Sequence, residues 1–208
     1  MANVFGTDVV VQGSLTVTGS IYPSIDRADL TLDSAACYLI PWEAWRVWDA
    51  FATVLPGTAA TDDLALVGGT FGTNAPSIQG GDLKAAGATT RYARCVFQIP
   101  PEFQTGNTVT IRAHAGMKTT VADTSCTIDF SAYRSNLEDG VGSDLVTTAA
   151  TTINSTTEAD KDFTVDAATL LPGDYLDIRM AITCTDGATA TAVIPFVGSV
   201  EVLLDIKG

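Results

Sequence analysis

Alternation of apolar and mostly polar residues recurs in five stretches between residues 94 and 206. Every second residue is apolar in these stretches, which is the period of a β-strand that buries one face. The apolar sets are Cys95, Phe97 and Ile99; Val109, Ile111, Ala113 and Ala115; Cys126, Ile128, Phe130 and Ala132; Leu176, Ile178, Met180 and Ile182; and Val200, Val202, Leu204 and Ile206. Strands with one apolar face pair into antiparallel sheets around a shared core.

Shorter candidate strands at 64–67, 77–83, 144–149 and 162–165 bring the predicted number to eight or nine. Two sheets packed face to face would bury all of these apolar sides. The long and uneven loops favour a jelly roll over an immunoglobulin-like arrangement. We therefore predict an all-β fold, with an antiparallel β-sandwich of jelly-roll type over residues 61–208.

A further alternating stretch, DVVVQGSLTVTGSIYPS, lies near the N-terminus. As one strand it would reach roughly 45 Å, and both its backbone groups and its apolar face need partners. It either folds back as a hairpin at Gln12-Gly13-Ser14 or pairs outside its own chain. We predict that residues 1–24 form an extended β-arm for assembly. The interface residues expected on its odd-numbered face are Val9, Val11, Leu15, Val17 and Ile21.

The segment 25–60 differs in character and contains the run IPWEAWRVWDAFATVLPG. Trp42, Trp45 and Trp48 recur every three residues, and Pro41 suits the first turn of a helix. We predict one short α- or 3₁₀-helical segment that ends before Pro56-Gly57. The three tryptophans are expected to fill the junction between arm and sandwich or to join a subunit interface. A platform that stacks on sugars is the alternative.

The formal net charge of −13 argues against a face that binds nucleic acid or an anionic membrane surface, because both need clustered Lys and Arg. MANVFGTDVVV has neither a basic region nor an apolar run long enough for a secretory signal. We therefore expect synthesis and initial residence in the cytosol.

Four cysteines are widely spaced and fit no zinc motif. Cys95, Cys126 and Cys184 fall on the apolar sides of predicted strands, whereas Cys37 does not. Buried free thiols that behave as small hydrophobic residues are expected, rather than disulfides.

Candidate catalytic and metal-binding residues are few. His114 is the single histidine, lies on the polar face of its strand and has no GxSxG motif to support it. The carboxylates Asp129, Asp177 and Glu201 also lie on polar faces, and no GxGxxG or P-loop is present. The loop 136–140 with Asp144, Asp62-Asp63 and Asp123 offer oxygen ligands, but without the spacing of an EF-hand. We predict no enzyme activity, no cofactor and no metal site.

The stretch VVVQGSLTVTGSIYPS, with its pattern G-x-L-x-V-x-G, resembles the short β segments of tailed-bacteriophage fibres and of head or tail appendages, in which three chains commonly wind together. The later stretches YARCVFQIPPEF, VTIRAHAGM and LPGDYLDIRMAIT are similar to jelly-roll modules encoded among phage structural genes. Together the two resemblances cover most of the chain.

This resemblance implies a non-enzymatic structural protein of the virion, a capsid decoration protein or head spike that oligomerises through its N-terminal arm. The expected partners are its own copies, as a homotrimer, and the major capsid protein or another virion protein. The alternative is a carbohydrate-binding, receptor-recognition module of a phage tail fibre or spike.

Overall fold

Ten strands in two antiparallel sheets make up the fold of this computed structural model, which describes residues 31–83, 86–135, 142–187 and 191–207. This confirms the predicted all-β sandwich. One 3₁₀ turn lies at Trp42–Ala44, and none of these ranges contains a helix with the length and hydrophobicity to span a membrane. The strands are β1 (Thr31–Leu39), β2 (Ala65–Val67), β3 (Ser77–Gln79), β4 (Gly87–Gln98), β5 (Val109–Met117), β6 (Ser125–Ser135), β7 (Thr151–Thr152), β8 (Ala159–Val165), β9 (Tyr175–Asp186) and β10 (Pro195–Lys207).

The strand order is that of a jelly roll. Sheet I has the order β2-β3-β10-β5-β8, with β1 also paired to β10, and sheet II has the order β4-β9-β6-β7. Without β1 and β2, the eight strands from β3 to β10 form two four-stranded sheets, 3-10-5-8 and 4-9-6-7. Two interlocked Greek keys generate this arrangement, which is the eight-stranded jelly roll.

The apolar side chains of the predicted alternating strands form the core between the two sheets. Along β9 every second side chain is buried, including Leu176, Ile178 and Met180. Phe130 of β6 meets Phe163 of β8 across the two sheets, with ring centroids 4.9 Å apart. Each large apolar side chain buried in this way stabilises the fold by about 1.5–3 kcal/mol.

Two of the cysteines expected to be free form a disulfide, which corrects the prediction. Cys126 of β6 lies directly opposite Cys184 of β9, with Cα atoms 4.0 Å apart, and the two are bonded. Antiparallel register brings the Cβ atoms of such a cross-strand pair together, and a local sequence pattern does not reveal register. Cys95 is buried and free as expected, while Cys37 is free and exposed in β1.

Two strands, β1 and the two-residue β7, were not predicted, and one predicted strand does not form. β1 pairs antiparallel with β10, for example through Tyr38 and Val202. The stretch 144–149, expected as a strand, contributes isolated bridges between Tyr133 and Asp144 and between Val146 and Val165.

The tryptophan segment is less helical than predicted. The 3₁₀ turn ends when the Trp45 amide donates to the Trp42 carbonyl at 3.2 Å. Arg46 then exchanges two backbone hydrogen bonds, of 2.8 and 3.0 Å, with Arg94 at the edge of β4. Because pairing with this edge extends the chain, Trp45 turns into the core, with 1% of its surface exposed, while Trp48 lies partly exposed beside the outer face of sheet II.

Candidate functional site

A depression of about 280 Å³ on the outer face of sheet II, which we call the Trp48 depression, brings aromatic and charged side chains together. The alternation that buries Ala93, Cys95 and Ile178 directs their neighbours on β4 and β9 outward. The segment after the 3₁₀ turn adds one wall. The residues that line the depression are Trp48, Asp49, Arg94, Tyr133, Asp177 and Arg179.

The indole of Trp48 is held in place by two neighbours. Its Nε1 donates a hydrogen bond of 3.0 Å to Asp62 Oδ2. Its ring lies against Tyr92 of β4, with centroids 5.0 Å apart and an interplanar angle of 47°. A partly exposed aromatic ring that is fixed in this way loses little rotamer freedom when a ligand stacks on it.

Two arginines face each other across the floor of the depression, since Arg94 and Arg179 are register partners in β4 and β9. Asp177 relieves this like-charge pairing through a two-pronged ion pair with Arg94, of which the Nε to Oδ1 distance is 2.6 Å. The hydrogen bond to Asp177 raises the pKa of the Arg94 guanidinium above its ordinary value. The pair is therefore a fixed donor and acceptor at the surface.

Arg179 has no carboxylate partner among the described residues. Its guanidinium carbon lies 5.3 Å from the Tyr92 ring centroid and 6.0 Å from that of Trp48. Its Nη2 is 3.4 Å from Ser131 Oγ, and its Nε is buried without a hydrogen-bond partner. Arg179 therefore keeps hydrogen-bonding capacity that the fold does not use.

A second polar cluster lies on the outer face of sheet I. His114 Nδ1 and Asp160 Oδ1 are 2.8 Å apart, and Ser199 is the register partner of His114 on its other side. This row has the residue types of a hydrolytic triad, but within the described ranges no hydrogen bond joins Ser199 to His114. His114 lies on the polar face, as predicted, with 45% of its side chain exposed.

The candidate carboxylates do not face one another across a cleft. Asp177 is paired with Arg94. Asp129 lies on the outer face of sheet II, where burial raises the pKa of its carboxyl. Glu201 lies on sheet I, in register with Arg112. No group of three or more metal-ligating side chains occurs in the part of the chain that the structure describes.

The predicted assembly residues divide into two groups. Val9, Val11, Leu15, Val17 and Ile21 lie outside the described residues, as does the loop 136–140. Trp42 packs against the core of its own chain and Trp45 is part of that core. Among the three, Trp48 is the one that lines a surface site.

Sequence reasoning missed Tyr92, Arg94 and Arg179 as site residues. The sequence did contain one indication of this site. Arg94 and Arg179 are two of the few arginines of the chain, and both occupy polar positions of long alternating strands. Their meeting depends on the register of β4 against β9, which joins residues 85 positions apart in the chain.

The surroundings of the Asp63 carboxyl, beside the Trp48 depression, disfavour its charged form. Its Oδ1 is buried without a hydrogen-bond partner. Burial, followed by the charges of Asp62 and Asp49, raises its pKa above the ordinary value of 3.8. The folded protein therefore holds a proton on the Asp63 carboxyl more tightly than the unfolded chain does. The stability that this proton contributes is present at acid pH and is lost as pH rises through the raised pKa of the folded state.

We expect Asp63→Asn to raise the free energy of unfolding at pH 7 by roughly 0.5–1 kcal/mol. The gain should shrink as pH falls and should vanish well below 3.8, where the wild-type carboxyl is protonated in the folded and in the unfolded state. Urea denaturation at pH 7 and at acid pH measures this difference. Glu102→Gln, the same charge change at an exposed site, is the control, and an equal gain in that variant would contradict the account.

Comparison with known proteins gives no match to a protein-family model and none to a curated protein. Among solved structures the chain is similar to an isomalto-dextranase of Arthrobacter globiformis T6 complexed with panose, at 14% identity and a TM-score of 0.38. It is also similar to a structure of infectious bursal disease virus, Gt strain, at 10% identity and a TM-score of 0.27.

The alignment to the isomalto-dextranase covers 82% of this chain and 23% of that chain, and the alignment to the viral structure covers 93% and 54%. This chain therefore spans about a quarter and about half of the two proteins. With TM-scores below 0.5, neither similarity supports a statement about what this chain does. The prediction of no enzyme activity is corrected and withdrawn, because one of the two similar structures is a glycosidase.

Proposed function

We propose that this protein is a structural component of a bacteriophage particle, a capsid decoration protein or head spike. Its jelly roll would face outward, and its N-terminal arm would join it to neighbouring chains. The observation that carries the proposal is the eight-stranded jelly-roll order of β3 to β10, preceded by a long alternating segment. Jelly rolls of this order are typical of viral capsid and lectin domains, and the support is an analogy at the level of fold.

The position of β1 supports assembly through the arm. β1 pairs with β10 on one side, and among the described residues no strand pairs with its other side. An open edge presents unpaired backbone donors and acceptors. Residues 1–24 precede this edge strand by only a short connection, so an added strand has backbone groups to pair with. Leu39, at the end of β1, is 62% exposed.

Three arms packed around one axis would give the apolar face of each arm a partner. The odd-numbered residues of each arm would face inward and bury apolar surface, at about 25 cal/mol per Å². The polar even-numbered residues would face water. The net charge of −13 would keep the outward sandwiches apart. The proposed partners are two further copies and the major capsid protein or another protein of the virion, which the chain would join after synthesis in the host cytoplasm.

Matched charge substitutions on the two faces of the arm test this proposal. In the full chain, Leu15→Asp with Val17→Asp places two carboxylates on the inward face, and Thr16→Asp with Thr18→Asp places two on the outward face. Native mass spectrometry should show a trimer for the wild type and the even-numbered pair, and monomer for the odd-numbered pair. A monomeric wild type, or equal behaviour of the two pairs, would contradict the proposal. Thermal unfolding of the sandwich provides the control for folding.

A further inference from the structure

We propose that the Trp48 depression binds a neutral pyranose unit of a glycan, a function that is independent of assembly through the arm. The depression brings together an immobilised aromatic ring and a set of fixed polar groups. Its volume of about 280 Å³ falls just below the roughly 300–1,000 Å³ of pockets for drug-sized ligands. It therefore suits one sugar unit of a longer chain.

The aromatic wall matches the apolar face of a pyranose. Trp48 is partly exposed and lines the depression, while Tyr92 and the bond to Asp62 fix its ring. The axial C–H groups of a sugar ring can pack on such a surface, because the π face carries partial negative charge. Since the ring is held before the ligand arrives, binding costs little side-chain entropy.

The polar wall matches vicinal hydroxyl groups, each of which both donates and accepts hydrogen bonds. Asp49 and Asp177 offer acceptors, Arg94 and Arg179 offer donors, and the hydroxyl of Tyr133 offers both. The ion pair fixes Arg94 and Asp177 relative to each other. Arg179 adds a guanidinium that interacts with the charge of Asp129 but forms no ion pair with a carboxylate among the described residues.

The charge around the depression selects against acidic sugars. Two guanidiniums, of Arg94 and Arg179, are outnumbered by the carboxylates of the surrounding residues. These carboxylates belong to Asp49, Asp62, Asp63, Asp129 and Asp177. The chain as a whole is also strongly acidic. A uronic acid would be repelled, whereas a neutral ring would meet only hydrogen-bonding groups.

Binding to tetrasaccharides of defined charge tests this inference on the full chain. The neutral probes are maltotetraose, cellotetraose and mannotetraose, and the acidic probe is tetragalacturonate. Isothermal titration calorimetry and quenching of tryptophan fluorescence should detect binding of at least one neutral probe. The acidic probe should bind more weakly by about tenfold or more.

Variants assign the binding to the depression. Trp48→Ala should weaken binding by about tenfold or more, Trp48→Tyr should retain part of it because an aromatic face remains, and Arg179→Lys should weaken it through loss of the planar donor. Phe71→Ala, an exposed aromatic outside the depression, and Arg112→Gln, on sheet I, are matched controls that should bind as the wild type does. Circular dichroism verifies that each variant is folded.

Several outcomes would overturn the inference. They are the absence of binding to every neutral probe, tighter binding of tetragalacturonate, and unchanged binding in both folded Trp48→Ala and folded Arg179→Lys. None of these outcomes bears on the oligomeric state, so failure here and failure of the assembly proposal are distinguishable.

Discussion

Trp45→Ala is expected to lower the free energy of unfolding by about 3–5 kcal/mol. Trp45 has 1% of its surface exposed and is among the largest fully buried side chains of the core. Its removal would leave a cavity between the sandwich and the segment that follows the 3₁₀ turn. Urea denaturation of the full chain at one fixed protein concentration measures the loss, which keeps any contribution from oligomer formation constant.

Two further variants, Trp45→Phe and Trp48→Ala, test whether burial of the Trp45 ring accounts for this loss of stability. The Nε1 of Trp45 is buried without a hydrogen-bond partner, so Trp45→Phe removes an unsatisfied donor and should cost clearly less than the alanine variant. Trp48→Ala makes the same chemical change at a partly exposed ring and should cost about 1–2 kcal/mol. A larger loss in Trp48→Ala than in Trp45→Ala would contradict the assignment of Trp45 to the core.

Loss of the Cys126–Cys184 disulfide should lower the free energy of unfolding by about 2–4 kcal/mol. The two cysteines are 58 residues apart in sequence, and the bond closes a loop that spans most of β6 to β9. Without it the unfolded chain gains conformational entropy, while the buried side chains still pack in the folded state. The estimate follows the loop-entropy treatment of cross-links.

The measurement compares urea unfolding curves of oxidised protein with those of Cys126→Ala with Cys184→Ala, and with wild type in a reductant. Cys37→Ser is the control, because Cys37 is an exposed free thiol, and it should unfold as the wild type does. Identical curves for the oxidised wild type and the double variant would contradict a bond that stabilises the fold.

The sequence was sufficient to predict the long alternating strands and the faces that they bury. Along β5, β6, β9 and β10 the apolar residues of the alternating pattern are the ones that are buried. Successive side chains of a strand point to opposite faces of the sheet, so a strand with one face on the core has an apolar residue at every second position. β1 was not predicted because its sequence, TLDSAACYL, contains Asp, Ser and consecutive alanines and so lacks the alternating pattern. It is an edge strand that pairs with a single neighbour.

Interactions that depend on register could not be predicted. The ion pair of Arg94 with Asp177 joins residues 83 positions apart, and the contact of Trp48 with Tyr92 depends on how one segment crosses the edge of β4. The spacing of Trp42, Trp45 and Trp48 indicates a helix, yet backbone pairing of Arg46 with Arg94 extends the chain after one turn. Tertiary pairing thus overrides the local pattern.

Single-cysteine scanning along the arm tests the central claim, assembly through the odd-numbered face, most directly. In a Cys37→Ser background, Leu15→Cys, Thr16→Cys, Val17→Cys and Thr18→Cys are each oxidised in the full chain and separated on a denaturing gel without reductant. The account predicts covalent dimers for Leu15→Cys and Val17→Cys, whose side chains would meet those of neighbouring arms, and monomers for Thr16→Cys and Thr18→Cys. Monomers at all four positions, or cross-linking without alternation, would contradict it.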